Sequence, residues 1–418
     1  MFFTRRFFPF MTTLFFGAFN DNMFRNALVI LITYQVAKDS GNAGALTFLA
    51  MGLLMLPYFP FSALAGEIAD RFGRRRLFII TKTAELALMA ATAAAFHFRN
   101  IPLLLVLIFL MGTQSAFFSP LKYSYIPQML PPRELLKGNG YVNAGTYLAI
   151  IFGAVAGNLL IDLPDGTLFT GMALLLVAAA GLTGALAVPR MRPVNPGLKI
   201  HANCLKSTLM IVKEIFRDKT LRRCALGLST FWMAGALYVS QLAPFCKEVL
   251  GADALLVMVF YLLFSAGVAI GSVTCSACGP TVLKYVPASL VLMAAFTLDL
   301  YFAAQNWQPG SELYGMAELI RIPGFWRVSA DLLLLAVCGG FYSVPLNALL
   351  QKSSRPDEVA RMVAGNNIIN SAAIAVGTLT VSLAMACGIL SVTGIFVVVG
   401  LINLGTGVYL YSLRHTKI

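Results

Sequence analysis

Gly66-Glu-Ile-Ala-Asp70-Arg71-Phe-Gly73-Arg74-Arg75-Arg76-Leu77 joins two long apolar stretches of this chain. Gly66 permits close approach of two helices, Gly73 suits a tight turn, and Asp70 can hold an arginine or cap a neighbouring helix. A loop that only anchored the chain would need neither the glycines nor the acid. The stretch therefore predicts a latch that closes one face of the protein and opens again. Its members are Gly66, Asp70, Arg71, Gly73, Arg74 and Arg75.

The composition around this stretch is that of a membrane protein. Of 418 residues, 58% are hydrophobic and 12% are charged, whereas soluble proteins carry about 25% charged residues. A soluble enzyme, a disordered chain and a fibrous protein are thereby excluded. The seven cysteines are odd in number and scattered over apolar stretches, so we interpret them as reduced. No cofactor and no metal are expected.

Apolar runs of about 20 residues, the length that crosses a bilayer, predict twelve transmembrane helices. The first six are predicted at 10–36, 47–68, 77–98, 102–121, 138–162 and 167–188. The second six are predicted at 221–246, 253–278, 286–304, 328–351, 362–388 and 391–413. We therefore predict an all-α integral membrane protein with two six-helix halves, residues 1–188 and 221–418, joined by a cytoplasmic linker at 189–220.

The lysines and arginines predict which side of the membrane each loop occupies. With both termini in the cytoplasm, 25 of the 31 basic residues fall inside or at inner helix ends, five fall outside, and Arg25 lies within a span. This count places Lys82 and Lys122 at inner helix ends. The net charge of +13 is then explained by topology and by contact with anionic membrane lipids, without nucleic acid.

The linker predicts an amphipathic helix on the cytoplasmic face of the membrane. Apolar residues recur in it at helical spacing, with basic residues between them. The apolar set is Leu205, Leu209, Val212 and Phe216, and the basic set is Lys206, Lys213, Arg217 and Lys219.

The first predicted helix carries a polar segment that should face the protein interior. Asp21 and Arg25 are four residues apart, as are Asn22 and Asn26, so all four share one face. A charge at mid-span costs about 2.5–3.5 kcal/mol on insertion scales, which argues for a role. Two interpretations remain open: an internal Asp21–Arg25 ion pair, or a binding site for a zwitterionic or anionic ligand.

Other polar residues at membrane depth or near the cytoplasmic helix ends complete the predicted binding site. Asparagines near helix ends are also often caps or interhelical contacts, so this second interpretation stays open. The residues are Lys122 at the end of helix 4, Asn139, Asn143, Gln241, Asn347, Asn366 and Asn370. The rest of the interior is apolar and aromatic, which suits an acyl chain better than a sugar.

The glycine, aspartate, arginine and glycine spacing of the 66–77 stretch resembles the loop signature of the major facilitator superfamily. Further segments are similar to the bacterial lysophospholipid transporter family of that superfamily. They are Gly17-Ala-Phe-Asn-Asp21-Asn22, Ser119-Pro-Leu-Lys122-Tyr123, Lys137-Gly-Asn139-Gly140, Val344-Pro345-Leu-Asn347-Ala-Leu-Leu-Gln351 and Ala364-Gly365-Asn366.

The resemblance implies a flippase that moves lysophospholipids, such as lysophosphatidylethanolamine and lysophosphatidylglycerol. The lipid would pass from the periplasmic leaflet of a Gram-negative inner membrane to the cytoplasmic side, by alternating access with lateral lipid uptake. A partner acyltransferase on the cytoplasmic side would then restore the missing chain, and the carrier would act as a monomer. The chain departs from the family pattern in helix 7, where Val239 to Gln241 contain no arginine, in helix 11, which has no acid, and at Asn143, where a glutamate would be familiar.

Two other functions are open from the sequence. A proton-coupled antiporter of drugs or metabolites usually carries an arginine four residues before a glycine in helix 4, whereas Ile108 precedes Gly112 here. A membrane-embedded enzyme or receptor would need a nucleophile–base pair or a metal cluster, and the sequence has neither. The sequence therefore favours a lipid carrier and predicts no enzymatic activity.

Overall fold

The computed structural model describes residues 2–32, 43–201, 203–307 and 313–416. These residues are almost entirely helical, and the described part contains no strand beyond a single bridge between Ala252 and Tyr314. Ten helical segments are long and apolar enough to cross a membrane. The expected all-α membrane architecture is thus confirmed.

The first half of the chain forms helices whose bounds follow the apolar runs closely. They are α1 (Phe8–Ile30), α2 (Ala43–Met55), α3 (Tyr58–Arg71), α4 (Arg74–His97), α5 (Ile101–Met129), α6 (Leu135–Ile161) and α7 (Gly166–Ala187). The predicted helix at 47–68 is two helices, because α2 ends before Pro57 and α3 begins after it. Predicted helix 1 extends to residue 36, and residues 33–36 lie outside the described part.

The linker and the second half supply the remaining helices. They are α8 (Cys204–Arg217), α9 (Lys219–Pro244), α10 (Ala254–Ala277), α11 (Val286–Gln305), α12 (Met316–Leu319), α13 (Pro323–Ser353), α14 (Val359–Ala386) and α15 (Gly394–Leu410). Two predicted spans, α1 and α9, are absent from the ten apolar segments. α1 contains the polar segment and α9 begins with three basic residues, so the count of twelve spans stays a prediction.

Contacts divide the chain into two compact units. Unit 1 comprises Met1–Pro131, Gly145–Arg217 and Gln351–Ile368, and unit 2 comprises Pro132–Ala144, Asp218–Leu350 and Ile369–Ile418. Most of α6 and the first turns of α14 thus belong to unit 1. The predicted boundaries of the two six-helix halves remain predictions.

An apolar core in unit 1 holds α1 in place. Met23, Phe24, Ala27 and Leu28 on α1 are buried with residues of α4, α5 and α7. The ring of Phe24 meets that of Phe96 edge to face at 5.8 Å between centroids. Because lipid is as apolar as these side chains, close packing supplies the stability of such contacts. Asp21, Asn22, Arg25 and Asn26 lie on the other side of α1.

Candidate functional site

Asp21 and Arg25 on α1 turn to different partners. The carboxylate of Asp21 accepts a hydrogen bond of 2.8 Å from the hydroxyl of Ser115 on α5. The guanidinium of Arg25 donates to the side-chain oxygen of Asn22 at 2.7 Å. Arg25 also interacts electrostatically with Asp21. The internal Asp21–Arg25 pair and the ligand site therefore both stay predictions.

The two asparagines of the polar segment bond to their own helix. Asn22 donates to the carbonyl of Ala18 at 2.8 Å, and Asn26 donates to the carbonyl of Asn22 at 2.8 Å. These bonds leave the amide oxygen of Asn22 to orient Arg25. The segment therefore presents one carboxylate and one guanidinium, each oriented by its own polar neighbour.

A buried ion pair on α4 that was not predicted from the sequence interacts electrostatically with Asp21. Lys82 and Glu85 on α4 are 0% and 1% exposed, and their charged atoms are 2.6 Å apart. The Glu85 carboxylate also accepts from the amides of Asn20 at 3.2 Å and Gln114 at 3.1 Å. The hydroxyl of Ser115, which donates to Asp21, lies 3.3 Å from the side-chain oxygen of Gln114. The ion pair, Gln114, Ser115 and Asp21 thus form one cluster of polar side chains, and both charges of the pair act on Asp21.

Placing Lys82 at the cytoplasmic end of its helix was wrong. It lies eight residues beyond the start of α4 at Arg74, or about 12 Å along the axis. Its ammonium packs over the ring of Phe118, 4.6 Å from the centroid. The spacing of three residues from Glu85 was the available signal, because that spacing places the two charges on one helix face.

Lys122 also lies inside a helix rather than at its end. α5 continues through Pro120 and Pro127 to Met129, eight residues beyond the predicted end. Membrane helices tolerate such prolines because neighbouring groups satisfy the freed carbonyls. The ammonium of Lys122 donates to the hydroxyl of Thr146 at 3.2 Å and interacts electrostatically with Asp21. Unit 1 therefore brings Asp21 and Lys122 into one electrostatic environment.

The other predicted binding residues are divided between the two units. In unit 1, Asn366 is buried with its side-chain oxygen unpaired among the described residues. In unit 2, Asn143 donates to Ser272 at 2.8 Å, and Asn370 accepts from Ser229 at 2.9 Å. These two bonds connect neighbouring helices, as the alternative interpretation allowed.

Three further predicted residues lie in unit 2. Asn139 and Asn347 each donate to a carbonyl four residues earlier in their own helix, at 3.0 and 3.1 Å. Gln241 donates to Ser240 at 3.2 Å, and its amide oxygen is buried without a partner among the described residues. This oxygen of Gln241 is thus an unused hydrogen-bond acceptor within the described part of unit 2.

Asp70 is the centre of the latch and is fully buried. Its Oδ1 accepts from the guanidinium of Arg74 at 3.4 Å and from the backbone N–H of Ala360 at 3.1 Å. Its Oδ2 accepts from the backbone N–H of Arg361 at 3.1 Å and from Nε of the same residue at 3.3 Å. Ala360 and Arg361 open α14, where the free N–H groups of a helix favour an anion. The carboxylate thus caps α14 and ties α3 to it.

The remaining arginines of the latch have separate contacts. Arg74 is 1% exposed and donates to the hydroxyl of Ser124 at 3.0 Å. Arg75 donates to the carbonyl of Leu186 at 2.7 Å, and Arg71 lies over the ring of Phe72 at 5.4 Å. Arg74 is thus part of the buried latch around Asp70, whereas the contacts of Arg71 and Arg75 are with Phe72 and Leu186 and do not include Asp70.

Gly66 and Gly73 differ in what a side chain would meet. A Cβ on Gly66 would lie 2.8 Å from Cβ of Ala364 and 2.9 Å from Cα of Arg361. A Cβ on Gly73 would meet only the carbonyl of Met191, at 3.7 Å. Gly73 has φ −64° and ψ 120°, which any residue adopts. The expected need for glycine in the turn is therefore wrong at Gly73.

We expect Gly66→Ala to weaken the latch and Gly73→Ala to leave it intact. Alanine at Gly66 must push α3 away from the first turn of α14, and overpacking of this kind costs about 1–3 kcal/mol. Hydrogen exchange of the Ala360 and Arg361 amides, followed by mass spectrometry, measures the effect. Exchange should accelerate about tenfold in Gly66→Ala. Equal exchange in both variants would contradict the close approach.

The sequence profile of the Major Facilitator Superfamily matches residues 14–378. The chain belongs to this superfamily. A superfamily member of this kind is a multi-pass membrane transporter rather than an enzyme. The predicted major facilitator fold is thereby confirmed.

Curated relatives in this superfamily are similar over most of the chain. The lysophospholipid transporter LplT of Pectobacterium carotovorum is 29% identical over 360 residues, covering 85% of this chain and 79% of that protein. The LplT of Serratia proteamaculans is 27% identical over 347 residues, covering 82% and 78%. These relatives confirm the resemblance drawn from the motifs.

Solved structures agree with the superfamily fold. The human organic anion transporter MFSD10 superposes with a TM-score of 0.75 at 14% identity, over 96% of this chain and 99% of that one. The transporter FucP in its outward conformation gives 0.71 at 13% identity, over 98% of both chains. At such low identity, these superfamily structures support the fold alone.

Proposed function

We propose that this transporter carries lysophospholipids from the periplasmic leaflet to the cytoplasmic side of a Gram-negative inner membrane. The observation that carries the proposal is the similarity to LplT proteins along more than four fifths of the chain. The count of lysines and arginines supports cytoplasmic termini. A cytoplasmic-side acyltransferase is the proposed functional partner, and the carrier is proposed to act as a monomer.

The polar groups around Asp21 support a site for a lipid head group in unit 1. Asp21 supplies an anion for an ethanolamine ammonium, and Lys122 and Arg25 supply cations for a phosphate. The guanidinium of Arg25 can form a bidentate contact with phosphate oxygens, which a lysine cannot. Asn22, which accepts from Arg25, and Asn26 act as positioning residues in this proposal.

Lateral access follows from the chemistry of the proposed substrate. The acyl chain of a lysophospholipid already lies in hydrocarbon, and its exposure to water would cost about 0.8 kcal/mol per methylene. A carrier that admits the lipid from within the leaflet avoids that cost, while alternating access moves the head group across the membrane.

Uptake of radiolabelled lysophosphatidylglycerol into vesicles containing the purified protein tests the function. The proposal expects uptake well above that of protein-free vesicles, with competition by lysophosphatidylethanolamine. Transport of cationic drugs driven by a proton gradient, with no lysophospholipid uptake, would contradict the proposal and favour the antiporter.

Asp21→Asn should distinguish between the two head groups. The amide can still accept from Ser115, but it cannot neutralise an ammonium. We expect transport of lysophosphatidylethanolamine to fall about tenfold and that of lysophosphatidylglycerol to change much less, since only the former carries a cation. Asp162→Asn, at an exposed acid after α6, is the matched control. An equal loss for both lipids would remove Asp21 from the ammonium site.

A further inference from the structure

The linker helix α8 has two different faces. Ser207, Ile211 and Ile215 are buried. On the other side, four large apolar residues are exposed: Leu205 at 70%, Leu209 at 63%, Met210 at 50% and Phe216 at 41%. Lys206, Lys213 and Arg217 are exposed on the same helix. We call this the outer face of α8, defined by these four apolar and three basic residues.

The buried face of α8 packs on the helix that Asp70 caps. A Cβ on Gly365 in α14 would lie 2.5 Å from Cγ2 of Ile211 and 2.6 Å from Cδ1 of Ile215. The absence of a side chain at Gly365 therefore lets α8 rest directly on the first turns of α14, one turn beyond Arg361.

Charged groups reinforce the contact between α8 and the approach to α14. Arg355 forms an ion pair with Glu214 of α8 at 3.8 Å and hydrogen bonds to Glu358. The hydrogen bond that Arg355 donates to Glu358 raises the pKa of Arg355. Glu214 is the one acid of α8, and its carboxylate pairs with Arg355, so the charged residues of the outer face are all basic.

The linker ahead of α8 is attached to α3. The backbone N–H of Asn195 donates to the carbonyl of Asp70 at 2.9 Å. The backbone N–H of His201 donates to Glu67 at 2.9 Å, and its ring nitrogen Nδ1 lies 3.3 Å from the same carboxylate. The linker with α8 therefore touches both helices that Asp70 joins.

The chemistry of the outer face indicates its occupant. Leucine and methionine side chains enter the region between lipid head groups and acyl chains, and neighbouring lysine and arginine side chains meet anionic head groups. Each basic residue at an anionic surface contributes about a fivefold increase in association. Three bases with no acid on this face match a negatively charged bilayer surface.

We infer that α8 is a sensor of anionic lipid that stabilises the α3–α14 latch. Its outer face binds an anionic bilayer surface, and its buried face, through Ile211 and Ile215, then holds the first turns of α14 against Asp70. The inference concerns bilayer lipid, not the transported substrate, and it does not depend on the proposed function.

Hydrogen exchange of the full chain in nanodiscs tests the inference without any lysophospholipid. Discs of phosphatidylcholine are compared with discs containing phosphatidylglycerol. In the anionic discs, we expect exchange to slow at least about threefold both in residues 203–217 and in residues 357–366, which include the amides bonded to Asp70. Unchanged exchange in residues 203–217 would overturn the inference.

Three variants separate the roles of the two faces. Lys206→Gln/Lys213→Gln/Arg217→Gln should lose the response in both segments. The matched control Arg133→Gln/Lys137→Gln, at exposed bases before and in α6, should keep it. Ile215→Ala should keep the response of 203–217 and lose that of 357–366, because α8 still binds lipid but no longer presses on α14.

Several outcomes would contradict the inference. If hydrogen exchange in both segments were already as slow in discs of phosphatidylcholine alone, the charge of the lipid would play no part. Protection that follows protein concentration and not lipid charge would identify the outer face as an interface between copies of the chain. A response of 357–366 that survives Ile215→Ala would separate the latch from α8.

Discussion

Asp70→Asn should reduce transport at least about tenfold while binding of lysophospholipid in detergent survives. Asparagine keeps the volume, but its amide replaces one carboxylate oxygen with an NH2 donor. Each carboxylate oxygen faces two donors: Arg74 and Ala360 on one side, and Arg361 twice on the other. In either orientation of the asparagine side chain, its NH2 group would therefore face two N–H donors, and no hydrogen bond could form there.

The expected fall in transport follows from the hydrogen bonds that the asparagine loses. A hydrogen bond to a charged group contributes about 1.5–3 kcal/mol, and a buried charge left without its partner costs about 3–5 kcal/mol. Arg74, 1% exposed, would be such a charge. A transporter that loses several kcal/mol from one of its two states spends nearly all its time in the other. Binding should persist because Asp70 is not among the groups around Asp21.

Uptake into vesicles and equilibrium binding of labelled lysophosphatidylglycerol in detergent measure the two effects separately. Arg76→Gln, at an exposed arginine in the same stretch, is the matched control and should transport normally. Hydrogen exchange at Ala360 and Arg361 reports the latch directly and needs no substrate. Parallel loss of binding and transport would place Asp70 in the binding site and contradict its role as a latch.

Lys82→Met and Glu85→Gln should each destabilise the protein by about 3–5 kcal/mol. The side chains of Lys82 and Glu85 are 0% and 1% exposed. Either change therefore leaves the other charge buried without its partner. In Lys82→Met, Glu85 retains only the amides of Asn20 and Gln114. The double variant Lys82→Met/Glu85→Met leaves no unpaired charge, so it should recover most of the lost stability. Thermal unfolding in mild detergent measures all three.

Transport by the double variant then tests whether the pair positions Asp21. Glu85 accepts from Gln114, and the side-chain oxygen of Gln114 lies 3.3 Å from the hydroxyl of Ser115, the hydrogen-bond donor to Asp21. We expect the double variant to fold and yet transport slowly, with a larger loss for lysophosphatidylethanolamine. Normal transport by the stable double variant would show a purely structural pair. A double variant as unstable as the single ones would show that the network needs the charges themselves.

The start and end of a helix could be predicted from the sequence where they depend on that helix or its adjoining loop alone. The apolar runs predicted nearly every helix within a few residues, because a span must be long and apolar whatever its neighbours. The apolar runs gave wrong helix ends near three prolines. Pro57 separates α2 from α3, whereas Pro120 and Pro127 lie within α5, and the difference depends on neighbouring groups that the sequence does not show.

The sequence by itself determined that this is an all-helical membrane protein of the major facilitator superfamily with a polar first helix. These properties follow from composition, periodicity and a motif with strict spacing. Only the tertiary structure decided three further points: the hydrogen bond of Asp21 to Ser115 on α5, the burial of the Lys82–Glu85 pair, and the contact of Asp70 with the start of α14. Periodicity defines the face on which a side chain lies, whereas its partner depends on which other helix packs against that face.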